Sequence, residues 1–122
     1  MAVVLQFSFC CQGLRPGSAP GVFTVENLAH TWEYLAGARR ELIIVNGWRA
    51  PQGTSIQERI QVANSEGVIV VRCASDIQAG PELDVIATKL DFAAVRDGQY
   101  AIRIYDGEQL FLEYPIELRT KR

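Results

Sequence analysis

The sequence contains little of what metal sites and catalytic sites are built from. Histidine occurs once, as His30, and neither a CxxC nor an HxxxH spacing is present, so the chain offers no recognisable zinc ligand set. The three cysteines are Cys10, Cys11 and Cys73. An odd number with two neighbours is no disulfide framework, and adjacent cysteines bridge only under strain, so we expect free thiols. We therefore expect no metal, no cofactor and no catalytic residue.

Long apolar runs and a large excess of charge are also missing. No stretch approaches the length of a membrane span, and a formal net charge of −2 gives no general attraction to nucleic acid. Residues 1–13 lack a basic start and a small-x-small cleavage site, so we expect no cleavable signal peptide. These absences predict a protein of the cytoplasm or of a virion, with neither a membrane nor a nucleic acid as partner.

What is present is the composition of an ordinary globular domain. Of the 122 residues, 48% are hydrophobic and 21% are charged, which is typical of a soluble protein with one core. A chain of this length buries roughly two thirds of its unfolded surface, enough to fold without disulfides or metal. We therefore predict a single domain over residues 1–122.

The last third of the chain carries the clearest pattern. Residues 99–104 and 108–118 each alternate polar and apolar side chains, which is typical of half-buried strands. The two runs predict a hairpin whose apolar face needs a second layer, because a lone ribbon is only marginally stable. Pro115 has no amide donor, so we expect its strand to lie at a sheet edge or at a bulge.

The register of this hairpin can be predicted from which faces must match. A two-residue turn would set apolar positions opposite polar ones. A three-residue loop over residues 105–107 instead places Ile102 opposite Leu110 and Tyr100 opposite Leu112. Such a loop ends in a left-handed residue, and its last residue is a glycine. We therefore predict the three-residue loop.

The rest of the chain is predicted to form short strands and one helix. Residues 25–36 place apolar side chains at helical spacing, Thr24 can cap the start and Gly37 can end it, so we predict a helix there. Residues 12–21 contain three glycines and two prolines and predict a loop. Further strands are predicted over residues 5–9, 41–48, 55–63, 68–73 and 83–90. Residues 41–48 and 68–73 are apolar on both faces, so we expect the first to be a central strand and the second to be buried on both sides. About seven or eight antiparallel strands favour a mainly β fold, either a sandwich or a small barrel.

A short motif adds a resemblance to this pattern. The run Asp97-Gly98-Gln99-Tyr100-Ala101-Ile102 resembles the approach to strand F of immunoglobulin-like sandwiches, with Ile102 at the position of the second core cysteine. The resemblance implies an immunoglobulin-like β-sandwich in which Asp97 and Tyr100 form a structural corner. The Tyr100 hydroxyl would bond back to the preceding backbone while its ring joins the core. Trp48 could then serve as the core tryptophan. The same plan would want strand B near residues 25–36, which conflicts with the helical spacing there, so a strand stays as the alternative to the predicted helix.

Two sets of residues could carry catalysis or bind a metal. Cys73 and His30 could form a nucleophile pair, since such partners meet in space rather than in sequence. Cys73, however, ends an apolar strand, which indicates a place in the core. Four acids lie around one pair of loops but show no EF-hand spacing, so solvated loop carboxylates are the simpler interpretation: Asp76, Glu82, Asp84 and Asp91.

Aromatic residues offer a third chemistry. Trp32, Tyr34 and Trp48 could stack on sugars if they were exposed, but packing in the core is the simpler interpretation of each. A carbohydrate- or ligand-binding sandwich module therefore stays as the alternative function. A small enzyme using Cys73 and His30 is the second alternative.

The first functional hypothesis is a non-catalytic structural protein that works through its surface as a subunit of a larger assembly. Small sandwich accessory proteins of viral particles, such as phage capsid-decoration and tail proteins, are similar to this chain in size and pattern. The expected partners are other protein subunits, in a homo-oligomer or a virion shell. Strand periodicity places Phe111 on the polar face of the hairpin, where an apolar ring needs a cover. The candidate contact residues are Arg15, Pro16, Tyr105, Phe111, Glu113, Arg119 and Arg122.

Overall fold

A computed structural model describes residues 3–19, 23–26, 28, 31–35, 40–92 and 96–121 of the chain. Within these residues the chain forms ten strands and no helix, so the predicted mainly β fold is confirmed. The strands are β1 (Val4–Cys11), β2 (Gly13–Pro16), β3 (Phe23–Glu26), β4 (Thr31–Leu35), β5 (Arg40–Arg49), β6 (Ser55–Ala63), β7 (Ile69–Gln78), β8 (Asp84–Phe92), β9 (Gly98–Asp106) and β10 (Gln109–Lys121).

The strands form two larger sheets and one separate ribbon. The smaller sheet has the order β1-β5-β8, and the larger has the order β4-β10-β9-β6-β7. All pairings are antiparallel except that of β4 with β10, which is parallel. One core cluster joins buried side chains of both sheets, among them Leu42 and Ile44 from β5 and Ile60 and Ile102 from the larger sheet. The two sheets therefore share a single core.

Strand β6 shows how period-two alternation builds this core. It spans the predicted residues, and its even-numbered side chains Ile56, Ile60 and Val62 are buried while Gln57 is exposed. Strand β5, predicted to be central because it is apolar on both faces, lies between β1 and β8. Alternation and central position were thus readable from the residue types alone.

The helix predicted over residues 25–36 is wrong for the part of that segment the structure describes. Residues Phe23–Glu26 and Thr31–Leu35 are strands. Strand β4 pairs with the end of β10, with Trp32 beside Leu118, and both side chains are buried. Apolar residues at helical spacing can equally come from two short strands, and here pairing with β10 overrides the local pattern.

The predicted register of the β9–β10 hairpin is also wrong. The turn has two residues, since Asp106 faces Gln109, and one extra residue in β10 shifts the ladder so that Leu112 faces Ile104. Gly107 does take the expected left-handed conformation, with φ of 59°. A tertiary contact fixes the shorter turn: the Gln57 amide donates to the Asp106 carboxylate at 2.9 Å, and the Gly107 amide donates to the Gln57 carbonyl at 2.8 Å.

The extra residue is Phe111, which lies between the two halves of the ladder as a β-bulge. Beyond it, Ile102 faces Tyr114 and Tyr100 faces Ile116, so the apolar faces of both strands coincide. Pro115 lies at an edge among the described strands, as predicted, because their pairing of β4 with β10 begins at Glu117. With the bulge, the apolar side chains of β9 and β10 lie on the same face of the sheet. A two-residue turn without the bulge would place apolar side chains opposite polar ones.

Two further expectations need correction. Residues 68–73 were expected to be buried on both sides, but β7 is an outer strand of the larger sheet and most of its side chains are half-buried or exposed. Residues 12–21 were expected to be loop, but Gly13–Pro16 pair with Phe23–Glu26 as a ribbon. In the described part of the chain, no helix is long and apolar enough to span a membrane.

Candidate functional site

Of the residues proposed for catalysis or metal binding, those that the structure describes are not brought together into one site. Cys73 is half-buried on the outer strand β7, and its proposed partner His30 lies outside the described residues. The carboxylate of Asp84 accepts a hydrogen bond from the Gly80 amide at 3.0 Å, within its own loop. Among the residues the structure describes, no three histidine, cysteine or acidic side chains are placed to hold a metal ion. The other three acids, Asp76, Glu82 and Asp91, are exposed.

The tryptophans proposed for sugar stacking are core residues. Trp32 and Trp48 are both buried in the cluster between the sheets, so neither ring presents a face to a ligand. The side chain of Tyr34 lies outside the described part of the chain. A sugar platform built on the two tryptophans is therefore excluded by their burial.

A buried carboxylate lies where the two sheets meet. Glu58 on β6 is 1% exposed, and its Oε2 accepts two hydrogen bonds, from the Trp48 indole at 2.7 Å and from the Asn46 amide at 3.0 Å. Both donors lie on β5 in the opposite sheet, and both are fully buried. The three residues, called here the Glu58 clasp, join the sheets through a polar contact inside the core.

Sequence reasoning missed the Glu58 clasp, although a signal was available. Glu58 has the same period-two parity as Ile56, Ile60 and Val62, so alternation alone places it on the buried face. A charged residue at a core position needs partners, since an unpaired buried charge is very costly. The clasp is sealed from solvent, which suits it to a structural role rather than to contact with a substrate.

A second polar contact joins the sheets from strand β1, where Ser8 lies beside Asn46 of the clasp. The Tyr114 hydroxyl on β10 shares a hydrogen bond with the Ser8 hydroxyl at 3.0 Å and lies 3.6 Å from the Cys10 sulfur, both on β1. Burial raises the pKa of the Cys10 thiol to about 11, although the bond from Tyr114 opposes the shift. Burial also raises the pKa of Tyr114 well above its ordinary value. Both groups are therefore neutral at physiological pH, and Cys10 is a poor nucleophile.

The corner predicted at Asp97 and Tyr100 is present in part. The Tyr100 hydroxyl donates to the Arg96 carbonyl, and its ring is buried, as the motif implied. Asp97 contacts a different strand. Its carboxylate accepts hydrogen bonds from the Thr120 amide at 3.0 Å and from the Thr120 hydroxyl at 2.6 Å. The corner therefore holds the start of β9 and the end of β10 together.

The ring of Phe111 is not on the polar face. The bulge turns it onto the core, where it packs edge-on against Trp48 with ring centres 5.4 Å apart and an angle of 70°. Its predicted placement followed from strict alternation along β10, which the bulge breaks. The reason for expecting a partner at Phe111 is thereby removed.

Most of the other candidate contact residues lie on the surface. Glu113 and Arg103 pair at 2.9 Å on the outer face of the larger sheet, and Arg119 pairs with Glu117 at 2.8 Å. Tyr105 is half-buried on the same face, beside an open groove of about 590 Å³. Arg122 lies outside the described residues.

Arg15 and Pro16 lie on the separate ribbon, called here the arm, which consists of β2 and β3. These two strands pair with each other and with no other described strand. The arm continues directly from β1, where the Gln12 amide donates to the Glu26 carbonyl at 3.0 Å. Arg15 forms an exposed ion pair with Glu26. Two apolar side chains in or near the arm face solvent, Val25 at 39% and Leu28 at 66% exposure.

Comparison with known proteins adds no assignment. No protein-family model matches this chain, and no curated protein matches it either. A functional proposal therefore depends on the arrangement of the residues described above.

Proposed function

We propose that this protein is a non-catalytic structural subunit that works by contact within a larger protein assembly, such as a phage particle shell or tail. The observation that carries the proposal is the arm, a two-stranded ribbon that extends from the sandwich with apolar side chains in solvent. Its expected partners are other protein subunits, in a homo-oligomer or a virion shell, and it needs no cofactor.

The arm supports this proposal because its own contacts are too few to hold it. Four residue pairs join β2 and β3, and cross-strand pairs contribute roughly 0.2 to 1 kcal/mol each. Fixing the backbone of one residue costs about 1 to 2 kcal/mol, so an unsupported ribbon of this size is marginal at best. The ion pair of Arg15 with Glu26 is solvent-exposed and adds little. A partner that covers Val25 and Leu28 would supply the missing layer.

We also propose that the two larger sheets, β1-β5-β8 and β4-β10-β9-β6-β7, together called here the body, form an immunoglobulin-like sandwich. In that fold, strands A, B and E belong to one sheet, while strands G, F and C lie together in the other, which C′ can extend. Assigning β1, β5 and β8 to the first set and β10, β9, β6 and β7 to the second agrees with the pairing orders observed here. The Tyr100 corner contact agrees as well. Trp48 departs from the pattern, since it lies on β5 rather than on the strand corresponding to C.

The enzyme alternative finds less support in the described residues. Glu58, Cys10 and Tyr114 are the groups with the most unusual surroundings, and all three are used in contacts between the sheets. A catalytic group must reach its substrate, and Glu58 and Cys10 are sealed inside the core. Burial also raises the pKa of the Cys11 thiol, which keeps this second buried cysteine protonated at neutral pH.

The proposal is tested by isolating the tagged full-length protein from the cells or particles that produce it. We expect it to co-purify with partner subunits in a fixed ratio, and Val25→Asp to abolish that co-purification by placing a charge on the contact surface. Val68→Asp is the matched control, because Val68 is 55% exposed in the β6–β7 turn, which is not part of the arm. Recovery of the wild-type protein without any partner, or equal loss with both variants, would overturn the proposal.

A further inference from the structure

The outer strand β7 presents a long unpaired edge. It runs for ten residues, Ile69–Gln78, and pairs with β6 on one side, while no described strand pairs with its other side. Sheet edges of natural proteins are usually blocked by proline, lysine, shortness or a cover, because an open edge offers hydrogen bonds to another chain. Strand β7 contains neither proline nor lysine. Its one irregularity, a bulge at Val70, lies at the start of the strand. Among the described residues, the edge over positions 71–78 is therefore available for strand addition.

The two faces of β7 have distinct chemistry. Val71, Cys73 and Ile77 share the parity of the core face, and all three pack against or within the core cluster. On the outer face, Arg72, Ala74 and Asp76 follow at every second position, and all three are exposed. The outer face thus carries one positive and one negative charge, placed symmetrically about a small residue.

Neither charge is neutralised strongly within the chain. Arg72 forms no ion pair with any residue that the structure describes. Asp76, whose side chain is 74% exposed, contacts Arg59 at 3.4 Å. That arginine also donates to the Glu58 carbonyl at 3.0 Å. Both charges therefore remain available to an incoming strand.

We propose that β7 pairs with β7 of a second copy, antiparallel about a two-fold axis, with Ala74 opposite Ala74. In this register Arg72 faces Asp76 of the second copy, and the same contact occurs again across the axis. On the core face Val71 faces Ile77 of the second copy, and Cys73 faces Ser75. The two larger sheets would join into one continuous sheet of ten strands. A symmetric contact of this kind requires a self-complementary surface. The sequence of β7 meets this requirement in the register centred on Ala74.

Other registers are less favourable for identifiable reasons. A shift by one residue would set the core face of one copy against the outer face of the other. Centring the axis on Arg72 or on Asp76 places like charges directly opposite each other, which is destabilising. Centring it on Cys73 or Ser75 leaves both charges without an opposite charge. Only the register centred on Ala74 matches apolar and charged positions together.

This inference deepens the proposed function, since it names a second copy of the chain as one partner and rests on the idea that the protein works by contact. It uses a different surface from the arm. If the β7 contact is absent but the arm-dependent partners still co-purify, this inference is refuted and the arm proposal stands. If the arm-dependent partners are absent but the β7 contact forms, the arm proposal is refuted and this inference stands.

Sedimentation velocity of the full chain over a range of concentrations tests the proposal. We expect a monomer–dimer equilibrium that Arg72→Asp or Asp76→Arg weakens by about tenfold each, because every reversal replaces two attractive pairs with two repulsive ones. The double variant Arg72→Asp/Asp76→Arg restores the opposite-charge pairs and should recover the dimer. Arg49→Asp, which changes the net charge equally at an exposed position on β5, should leave dimerisation unchanged.

Cross-linking tests the register independently of the charges. In a Cys73→Ser background, Ala74→Cys should form a covalent dimer on mild oxidation, because opposite residues of antiparallel strands lie about 4.5 to 5.5 Å apart, within disulfide range. Gln78→Cys lies on the same strand but far from its own copy in this register, so it should not cross-link. A monomer at all concentrations, a double variant that fails to recover, or preferential cross-linking through Gln78→Cys would each overturn the proposal.

Discussion

The body and the arm are both built from paired strands, yet they are stabilised in different ways. In the body, each strand contributes a face to a shared core, and the Glu58 clasp and the Tyr114 contact join the two sheets. In the arm, two strands pair with each other and with no other strand in the part of the chain that the structure describes, and they leave Val25 exposed. Strand pairing alone is marginal in water, so we expect the second layer to make the body much more stable than the arm.

If the clasp is central to the body, its removal should have the largest effect. Glu58→Ala leaves the Trp48 and Asn46 donors buried without an acceptor, and each such loss costs about 1 to 3 kcal/mol. We expect the free energy of unfolding to fall by about 4 kcal/mol in urea denaturation. Glu58→Gln, which keeps an acceptor oxygen, should lose much less. Equal losses in the two variants would show that the hydrogen bonds are not what stabilises the body.

The bulge in β10 is the next feature to test. Phe111→Ala removes the ring that packs against Trp48, and we expect a loss of about 2 kcal/mol, below the value for a fully buried phenylalanine because the ring is only partly covered. Leu110→Ala is the matched control one residue earlier, where the side chain is 46% exposed. A larger effect at Leu110 would contradict the observed register.

The burial of Cys10 predicts how stability depends on pH. The thiol of Cys10 ionises near 9.0 in the unfolded chain and at about 11 when folded, so between these values the unfolded chain releases a proton that the folded protein keeps. Stability should therefore fall as pH rises from 9 to 11, by about 2 kcal/mol from this thiol. Thermal melts of Cys10→Ala should show a shallower decline. An identical pH profile in the variant would refute this origin.

The smallest effect in the body is expected at the tyrosine corner. Tyr100→Phe keeps the buried ring and removes only the hydrogen bond to the Arg96 carbonyl, so we expect a loss of about 1 kcal/mol. Tyr105→Phe is the control, since that side chain lies half-buried on the outer face. The same urea denaturation measures both. No difference between the variants would show that the corner does not contribute to stability.

How much of this structure the sequence could predict depends on whether local pattern or tertiary contact decides each element. Alternation placed β6 correctly. The motif from Asp97 to Ile102 implied the hydrogen bond from the Tyr100 hydroxyl to the preceding backbone. The turn at Gly107 could not be predicted, because it is selected by hydrogen bonds with Gln57, which lies on the neighbouring strand β6 but is distant in sequence. The helix prediction failed because Trp32 belongs to a strand that pairs with the far end of the chain.

The surface that carries the proposed function was only partly predictable. Arg15 and Pro16 were chosen from the sequence as contact residues, and the structure places them on the arm. The expected loop became a ribbon because Gly13–Pro16 found a partner in Phe23–Glu26, a pairing that glycine and proline content disfavours locally. The hydrogen bonds of Glu58 could not be predicted, because alternation along β6 indicates which face a side chain lies on but not which residues of β5 it contacts.

Hydrogen–deuterium exchange of the isolated protein tests most directly whether the body supports itself while the arm depends on a partner. We expect backbone amides of β5, β6 and β9 to exchange only through global unfolding, whereas the amides of Gly13, Leu14, Arg15 and Phe23–Glu26 should exchange orders of magnitude faster. Arm amides as strongly protected as those of β6 in the monomer would contradict this expectation.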